Sequence, residues 1–122
     1  SGVSPYDVKR IRIATSTGET ILRRELEAWV DETSGDRIED QAKVRELLAW
    51  LLDLHPTSVA IGPYPRELQV ATITFEGYDR MPMDTVRIAM QDNGDWILDN
   101  GEHVLRLHPA ETGEVLAHFT IH

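Results

Sequence analysis

Residues 8–30, with the sequence VKRIRIATSTGETILRRELEAWV, decide whether this chain contains one helix or two. The first part of the stretch alternates basic and apolar side chains, in the order Arg10, Ile11, Arg12 and Ile13. A period of two predicts a β-strand with one buried and one solvated face. The stretch therefore begins with a strand, and the fold depends on whether residues 17–30 form a helix or further strands.

The second part of the stretch predicts a helix over about residues 17–32. Ser16 and Glu19 have the spacing of a capping box, which satisfies two free backbone N–H groups at a helix start. Beyond them, four apolar residues fall on one helical face: Leu22, Leu26, Trp29 and Val30. A hairpin that turns at Thr17 and Gly18 is the alternative. We favour the helix because residues 21–24, Ile-Leu-Arg-Arg, do not alternate.

A second helix is predicted from the break at ETSGD to about Leu54, with Asp36 and Glu39 able to cap its start. Its apolar residues form a broad arc at helical spacing: Val44, Leu47, Leu48, Leu51 and Leu52. His55 ends it, because a residue before proline is pushed out of the helical region. An arc of this kind is typical of a helix packed on a core.

The remaining sequence predicts strands separated by turns: TSVAI, LQVATITF, TVRIAMQ, WILD, HVLRLH and EVLAHFTIH. Two Asn-Gly pairs, at 93–94 and 100–101, are strong signals for tight hairpins. The predicted fold class is therefore α+β, with two helices packed on a largely antiparallel meander sheet of about six to seven strands. We expect one domain over residues 4–122, with residues 1–3 a remnant of cloning or processing.

Two-residue turns at both Asn-Gly pairs lead to a conflict between the two faces of this sheet. One face would carry Val86, Ile88, Met90, Ile97 and Val104, and the other would carry Trp96, Leu98, Leu105 and Leu107. Either the sheet curls, which would leave a concave pocket, or one turn contains a bulge that reverses the facing. In this register Trp96 and His103 share a face, so they are candidate pocket residues, and Asp95 faces Arg106.

The sequence predicts neither a metal site nor a cofactor. His118 and His122 have the spacing of a helical ligand pair, but the tail alternates like a strand, which would place their Cα atoms about 13 Å apart. The carboxylates around the two Asn-Gly pairs lack the register of a calcium loop. The chain has no cysteine, so a thiolate site is impossible. Phosphate-loop, dinucleotide-binding and metalloprotease signatures are also missing from the sequence.

The charge is uneven along the chain. The net charge is −9, yet residues 1–24 carry five basic and two acidic side chains. These basic residues either lie against the protein's own acidic surface or form an edge that contacts anions. The acidic total argues against binding to nucleic acid, and no stretch is apolar enough for a membrane span. We expect a soluble protein and favour a cytoplasmic location.

These features favour a non-catalytic protein-interaction domain whose partner is another protein or a second copy of the chain. It would be an acidic inhibitor or immunity-type protein that neutralises a basic enzyme, or a subunit of an assembly. Two connections, GPYP and GYDRMPMD, carry more apolar surface than turns need, and we predict that partners contact Tyr64, Tyr78, Arg80, Met81 and Met83. Met81 and Met83 could instead fold back on the sheet. The alternative function is a small-ligand-binding protein or an acid–base enzyme with a pocket between helices and sheet.

Overall fold

The computed structural model describes residues 4–52, 58–59 and 62–107. Over these residues one α-helix, α1 (Gln41–Leu52), accompanies eight strands: β1 (Arg10–Thr15), β2 (Gly18–Glu25), β3 (Ala28–Asp31), β4 (Ser58–Val59), β5 (Gln69–Glu76), β6 (Pro82–Met90), β7 (Trp96–Asp99) and β8 (Val104–Leu107). The strands form one sheet in the order β3-β2-β1-β5-β6-β7-β8-β4. Every neighbouring pair is antiparallel.

The prediction of two helices on a sheet is wrong, because residues 17–32 form hairpins. Thr15 pairs with Gly18 across a two-residue turn at Ser16 and Thr17, so a hairpin forms here as in the alternative, with its turn one residue earlier than predicted. A second turn places Glu25 opposite Ala28 and starts β3. The fold is thus mostly sheet, and the helical spacing of the apolar residues is coincidental. The apolar–polar alternation breaks at Ile21 and Leu22 because both faces of β2 accept an apolar residue there: Leu22 is buried in the core, and Ile21 is half-buried on the other face.

The predicted second helix is confirmed as α1, and its arc is the centre of the core. The five arc residues are at most 2% exposed: Val44, Leu47, Leu48, Leu51 and Leu52. They pack against the inward side chains of the sheet, among them Ile11, Ile73 and Ile88. The start lies later than predicted, since Asp40 accepts the backbone N–H of Lys43 and α1 begins at Gln41. An N-cap carboxylate of this kind satisfies a donor that the helix itself leaves unpaired.

The predicted strands β5 to β8 are confirmed, but the loops between them differ from two-residue turns. Met90 pairs with Trp96, so residues 91–95 form a five-residue loop. Side chains of β6 and β7 predicted to lie on opposite faces of the sheet, such as Met90 and Trp96, therefore lie on the same face. Asp99 pairs with Val104 across residues 100–103. The longer loop thus reverses the facing of β7, the second of the two explanations, although Ile97 and Ala89 remain buried on the other face. Arg106 is paired with Ile97 and not with Asp95.

The edge strand β3 is tied to the start of α1. The side-chain amide of Gln41 accepts the Trp29 backbone N–H and donates to the Trp29 carbonyl, both at 2.8 Å. The backbone of residues 36–38 adds to this, because the Asp31 N–H donates to the Asp36 carbonyl and the Ile38 N–H donates to the Trp29 carbonyl. The outward-facing N–H and C=O of Trp29 and the outward-facing N–H of Asp31 are therefore already hydrogen-bonded within the domain.

None of the helices among the described residues is long and apolar enough to cross a membrane. The predicted tail strand EVLAHFTIH, with His118 and His122, lies outside the described residues, as does most of the segment TSVAI.

Candidate binding surface at one end of the sheet

A cavity of about 410 Å³ opens where β1 and β6 begin and where β2 and β5 end. Five cationic side chains line it, together with Glu32, Gly77, Tyr78 and Asp79: they are Lys9, Arg10, Arg23, Arg24 and Arg80. We call this region, with the adjoining residues Tyr6, Leu26 and Met81, the basic end. Cations outnumber carboxylates in the lining by five to two, whereas the whole chain has a net charge of −9.

Arg10 forms the buried base of the cavity, on the sheet face opposite α1. Its Nε and Nη2 donate to the two carboxylate oxygens of Glu32 at 2.9 and 2.7 Å, and its Nη1 donates to Glu76 at 2.5 Å. Glu76 lies directly across from Arg10 in the β1–β5 pairing, so the sheet itself aligns the two charges. Arg10 and Glu76 are 9% and 4% exposed. The forked contact lowers the pKa of the Glu32 carboxyl, so this group is an anion near neutral pH.

The two carboxylates at the base are thereby occupied, while three of the cations have no carboxylate partner in hydrogen-bonding contact among the described residues. Lys9 donates to the Tyr6 carbonyl at 3.2 Å. Arg24 donates to the carbonyls of Tyr6 and Pro5 and lies over the Trp29 ring, 4.8 Å from its centroid. Burial lowers the pKa of Arg24. Arg80 is exposed and makes no hydrogen bond within the described part of the chain, but its charge contributes to the lowered pKa of Glu32.

Exposed large apolar side chains lie at this cavity and at a neighbouring one: Tyr78 lines the first, whereas Tyr6 and Leu26 line a second cavity of about 300 Å³ that shares Arg24 with it. Among the described residues, four large hydrophobic side chains are exposed: Tyr6 (82%), Leu26 (97%), Tyr78 (86%) and Met81 (67%). Single exposed apolar residues are ordinary on protein surfaces, but their concentration in one region is typical of an interaction site.

Backbone strain is concentrated in the same region. The described non-glycine residues with positive φ are Leu26 (56°), Asp79 (56°) and Arg80 (59°), and each lies in a turn at the basic end. A left-handed conformation costs a side-chain-bearing residue about 1 kcal/mol or more, and such residues cluster at functional sites. Leu26 therefore combines strain with nearly complete exposure, although glycine or asparagine would fit its turn better.

The loop between β5 and β6 consists of residues 77–81, shorter than the predicted connection, because β6 already begins at Pro82. The Gly77 N–H donates to the Met81 carbonyl at 2.8 Å, which closes the loop and projects residues 78–80. A Cβ atom on Gly77 would lie 2.7 Å from the Met83 Sδ. Met83 thus folds back on Gly77, while Met81 remains exposed.

The predicted partner-contact residues are not all in one place. Tyr78, Arg80 and Met81 belong to the basic end, whereas Tyr64 is half-buried with its ring under the Arg87 guanidinium, 4.4 Å from the ring centroid. The Tyr64 hydroxyl donates to Gln69 at 3.0 Å, and burial raises the pKa of Tyr64 to about 12. Tyr64 is therefore engaged within the domain.

The predicted pocket pair does not come together. Trp96 is 2% exposed in the core, and His103 is exposed in the loop between β7 and β8. The cavity at the basic end lies at the end of the sheet and not between helices and sheet.

One sequence signal points to the basic end, the surplus of basic residues before position 25. No signal marks Leu26 as exposed or places Arg24 at this end of the sheet, because both depend on a turn within the segment predicted to be helical. Within the described residues, no group of three or more His, Cys, Asp or Glu side chains is placed to hold a metal ion. Comparison of the chain with protein-family models, with curated proteins and with solved structures found no match.

Proposed function

We propose that this protein is a non-catalytic interaction domain that uses the basic end to bind a carboxylate-bearing surface of another protein. The observation that carries the proposal is the coincidence of three properties in one region: exposed large apolar side chains, strained turns and cations without a carboxylate in hydrogen-bonding contact among the described residues. Each property costs the free protein some stability or solubility. A bound partner would recover that cost, whereas a surface without a partner would have no use for it.

The residue types fit a binding surface. Tyrosine and arginine are enriched among the residues that dominate binding energies, and methionine is enriched in interfaces generally. Tyr78 and Leu26 would supply apolar contact area, and Arg24 is already fixed by two carbonyls and the Trp29 ring. A cation held in one orientation loses little conformational entropy when a partner binds.

The local charge favours an acidic partner surface, although the total charge suggested a basic partner. Exposed charges farther apart than about 10 Å are largely screened at 0.1 M salt, so a contact responds chiefly to the charges around it. The basic end would therefore attract carboxylates at short range while the rest of the molecule stays acidic. Inhibition of an enzyme and assembly into a complex are both compatible with such a surface.

The alternative of an acid–base enzyme has less support. A general acid or base works best with a pKa near the operating pH, which for a carboxyl group requires a raised pKa. Among the described carboxylates, the resolved shifts, at Glu32 and Asp99, are both downward. Burial alone would raise the pKa of Asp99, but the hydrogen bond from the Gly101 N–H and the contact with Arg87 together lower it by more.

A library of displayed random dodecapeptides, selected on the immobilised protein, tests the proposal. We expect the enriched peptides to combine aspartate or glutamate with apolar residues and to lose affinity for the variants Leu26→Asn and Tyr78→Ser. Arg66→Ser is the matched control, because Arg66 is exposed outside the basic end and its loss should change nothing.

Two outcomes would overturn the proposal. One is enrichment of peptides without acidic residues, or of peptides that bind both variants as well as the original protein. The other is concentration-dependent self-association in a sizing experiment that Leu26→Asn abolishes, because the partner would then be a second copy of the chain.

A further inference from the structure

We infer that the second cavity, between the β2–β3 turn and α1, is an anchor pocket for one large apolar side chain in an acidic segment of the partner. A carboxylate next to that side chain would pair with Arg45 on α1. This inference rests on the proposed function for the partner and adds the place where the partner's apolar side chain binds. A second copy of the chain and a free carboxylic acid are the competing occupants, which the experiment below distinguishes from a peptide.

The anchor pocket lies where three elements of the fold meet. Its described lining comes from the 3₁₀ turn Pro5–Asp7, from the β2–β3 hairpin and from α1, and consists of Tyr6, Arg24, Leu26, Glu27, Trp29 and Arg45. The volume of about 300 Å³ is at the lower end of the range for small-ligand sites, about 300 to 1,000 Å³. The pocket therefore suits a single side chain better than a larger ligand.

The contacts of Arg24 form the pocket before any ligand arrives. Its Nη1 and Nη2 donate to the Tyr6 and Pro5 carbonyls at 3.2 and 3.1 Å, which fixes the 3₁₀ turn against β2. Its guanidinium also lies over the Trp29 ring, because Arg24 and Trp29 are paired between β2 and β3 and share a face of the sheet. A site that is already formed loses little conformational entropy when a ligand binds.

The apolar part of the lining is open to a partner. Tyr6 and Leu26 are exposed, whereas Trp29 is buried and forms the inner part of the lining. Leu26 holds its position at a φ of 56°, although its side chain gains almost nothing from contacts within the domain. An apolar side chain placed between Tyr6 and Leu26 would remove apolar surface on both residues from water.

The charges of the lining favour a carboxylate beside the apolar side chain. Arg24 and Arg45 are cationic, and Glu27 is the carboxylate among the described lining residues. Arg45 and Glu27 are exposed, and neither makes a hydrogen bond or an ion pair within the described part of the chain. Arg45 is therefore available to a carboxylate, to which a guanidinium can donate two parallel hydrogen bonds. Glu27 opposes the same carboxylate, so its neutralisation should strengthen binding.

Nuclear magnetic resonance titration of labelled protein tests the anchor pocket with three synthetic peptides. The probe is acetyl-Glu-Phe-Glu-amide, and the matched controls are acetyl-Glu-Ala-Glu-amide and acetyl-Gln-Phe-Gln-amide. With the probe we expect saturable shifts of the Trp29 indole N–H and the Leu26 methyl groups. The alanine peptide should bind about tenfold more weakly because it lacks the apolar side chain. The glutamine peptide should bind about two- to fivefold more weakly, as expected for the loss of an exposed ion pair.

Two variants of the pocket should change the affinity for the probe in opposite directions. Arg45→Gln should weaken binding by about two- to fivefold, and Glu27→Gln should strengthen it by about twofold. Arg66→Gln and Glu67→Gln are the matched controls, since both residues are exposed and line neither cavity, and they should leave the affinity unchanged. All four variants should keep the melting temperature of the original protein, which a thermal scan checks, because each changed side chain is exposed.

The outcomes separate the anchor pocket from the proposed function. Selected acidic dodecapeptides that shift residues 77–81 but not the Trp29 indole would refute the pocket and retain the function. Binding of the probe at Trp29 without any selected acidic peptide would retain the pocket and refute the function.

Other outcomes would overturn the peptide as the occupant or the pocket itself. Hexanoate that binds at Trp29 at least as tightly as the probe would assign the pocket to a free carboxylic acid. The same shifts on raising the protein concentration alone would assign it to a second copy of the chain. The pocket would be refuted by the absence of saturable shifts at Trp29, by equal affinities for the probe and either control peptide, or by an affinity that Arg45→Gln and Glu27→Gln leave unaltered.

Discussion

Replacing Leu26 with asparagine should make the protein more stable, although it removes a large apolar side chain. Leu26 has a φ of 56° and is 97% exposed, so its side chain buries almost no surface. The loss of hydrophobic burial is therefore close to zero. Asparagine tolerates the left-handed region better than leucine does and avoids the added chain entropy of glycine.

The expected gain comes from the strain that is relieved. A left-handed residue with a large side chain costs about 1 to 2 kcal/mol, of which asparagine removes a part. We expect the free energy of unfolding to rise by about 0.5 to 1 kcal/mol, equivalent to roughly 2 to 5 °C in melting temperature for a chain of this length. Guanidinium denaturation followed by tryptophan fluorescence measures this, since Trp29 and Trp96 are buried.

Glu27→Asn is the control, because it changes the neighbouring exposed residue of the same turn, where φ is not positive. It should leave stability within about 0.5 kcal/mol. A loss of more than about 0.5 kcal/mol in Leu26→Asn would show that the leucine stabilises the domain itself. The reasoning that it is retained for an external contact would then be wrong.

The remaining predictions concern the buried charges and the methionines. Arg10→Met should destabilise the fold by about 3 to 5 kcal/mol, because it leaves Glu76 buried without its main partner, and chemical denaturation measures the loss; a change under about 1 kcal/mol would contradict the role of the network. Because the pKa of Glu32 is lowered in the folded protein, its carboxylate adds stability above the unfolded pKa of about 4.3, and this stability is lost as pH falls through the folded pKa. Glu32→Gln should therefore flatten the decline in stability below about pH 4.5, measured by denaturation at several pH values. An unchanged pH profile would count against it. Met81→Ala should leave the melting temperature nearly unchanged, because Met81 is exposed, whereas Met83→Ala should cost about 1 kcal/mol through lost half-buried contact; equal effects in parallel thermal scans would refute this distinction.

The elements that the sequence predicted correctly have periodic patterns that only one structure satisfies. The arc of α1 spans about two and a half helical turns, and β5 has both an alternating pattern and β-branched residues. Loop lengths were less predictable, because an Asn-Gly pair also occurs inside longer loops. Asn93 accepts the Asp95 backbone N–H within a five-residue connection, a hydrogen bond that the dipeptide alone does not reveal.

The first hairpins were missed for a different physical reason. The turn between β2 and β3 has neither glycine nor asparagine, so it lacks the usual signal for a two-residue turn. Leu22 and Trp29 lie on the core face of the hairpin, and the same spacing also fits one face of a helix. The candidate site was missed with it, because the exposure of Leu26 and the position of Arg24 both depend on that turn. Only the loop residues Tyr78, Arg80 and Met81 could be selected from composition alone.

The link between Gln41 and Trp29 restricts the ways in which another chain can attach to this domain. Many peptide ligands bind by adding one more strand to a sheet, using the free N–H and C=O groups along its edge. At β3 the outward groups of Trp29 and the Asp31 N–H are already bonded within the domain, and the same bonds oppose edge-to-edge aggregation. Strand addition along β3 would require the start of α1 to detach first, so recognition through side chains at the end of the sheet is the less costly route.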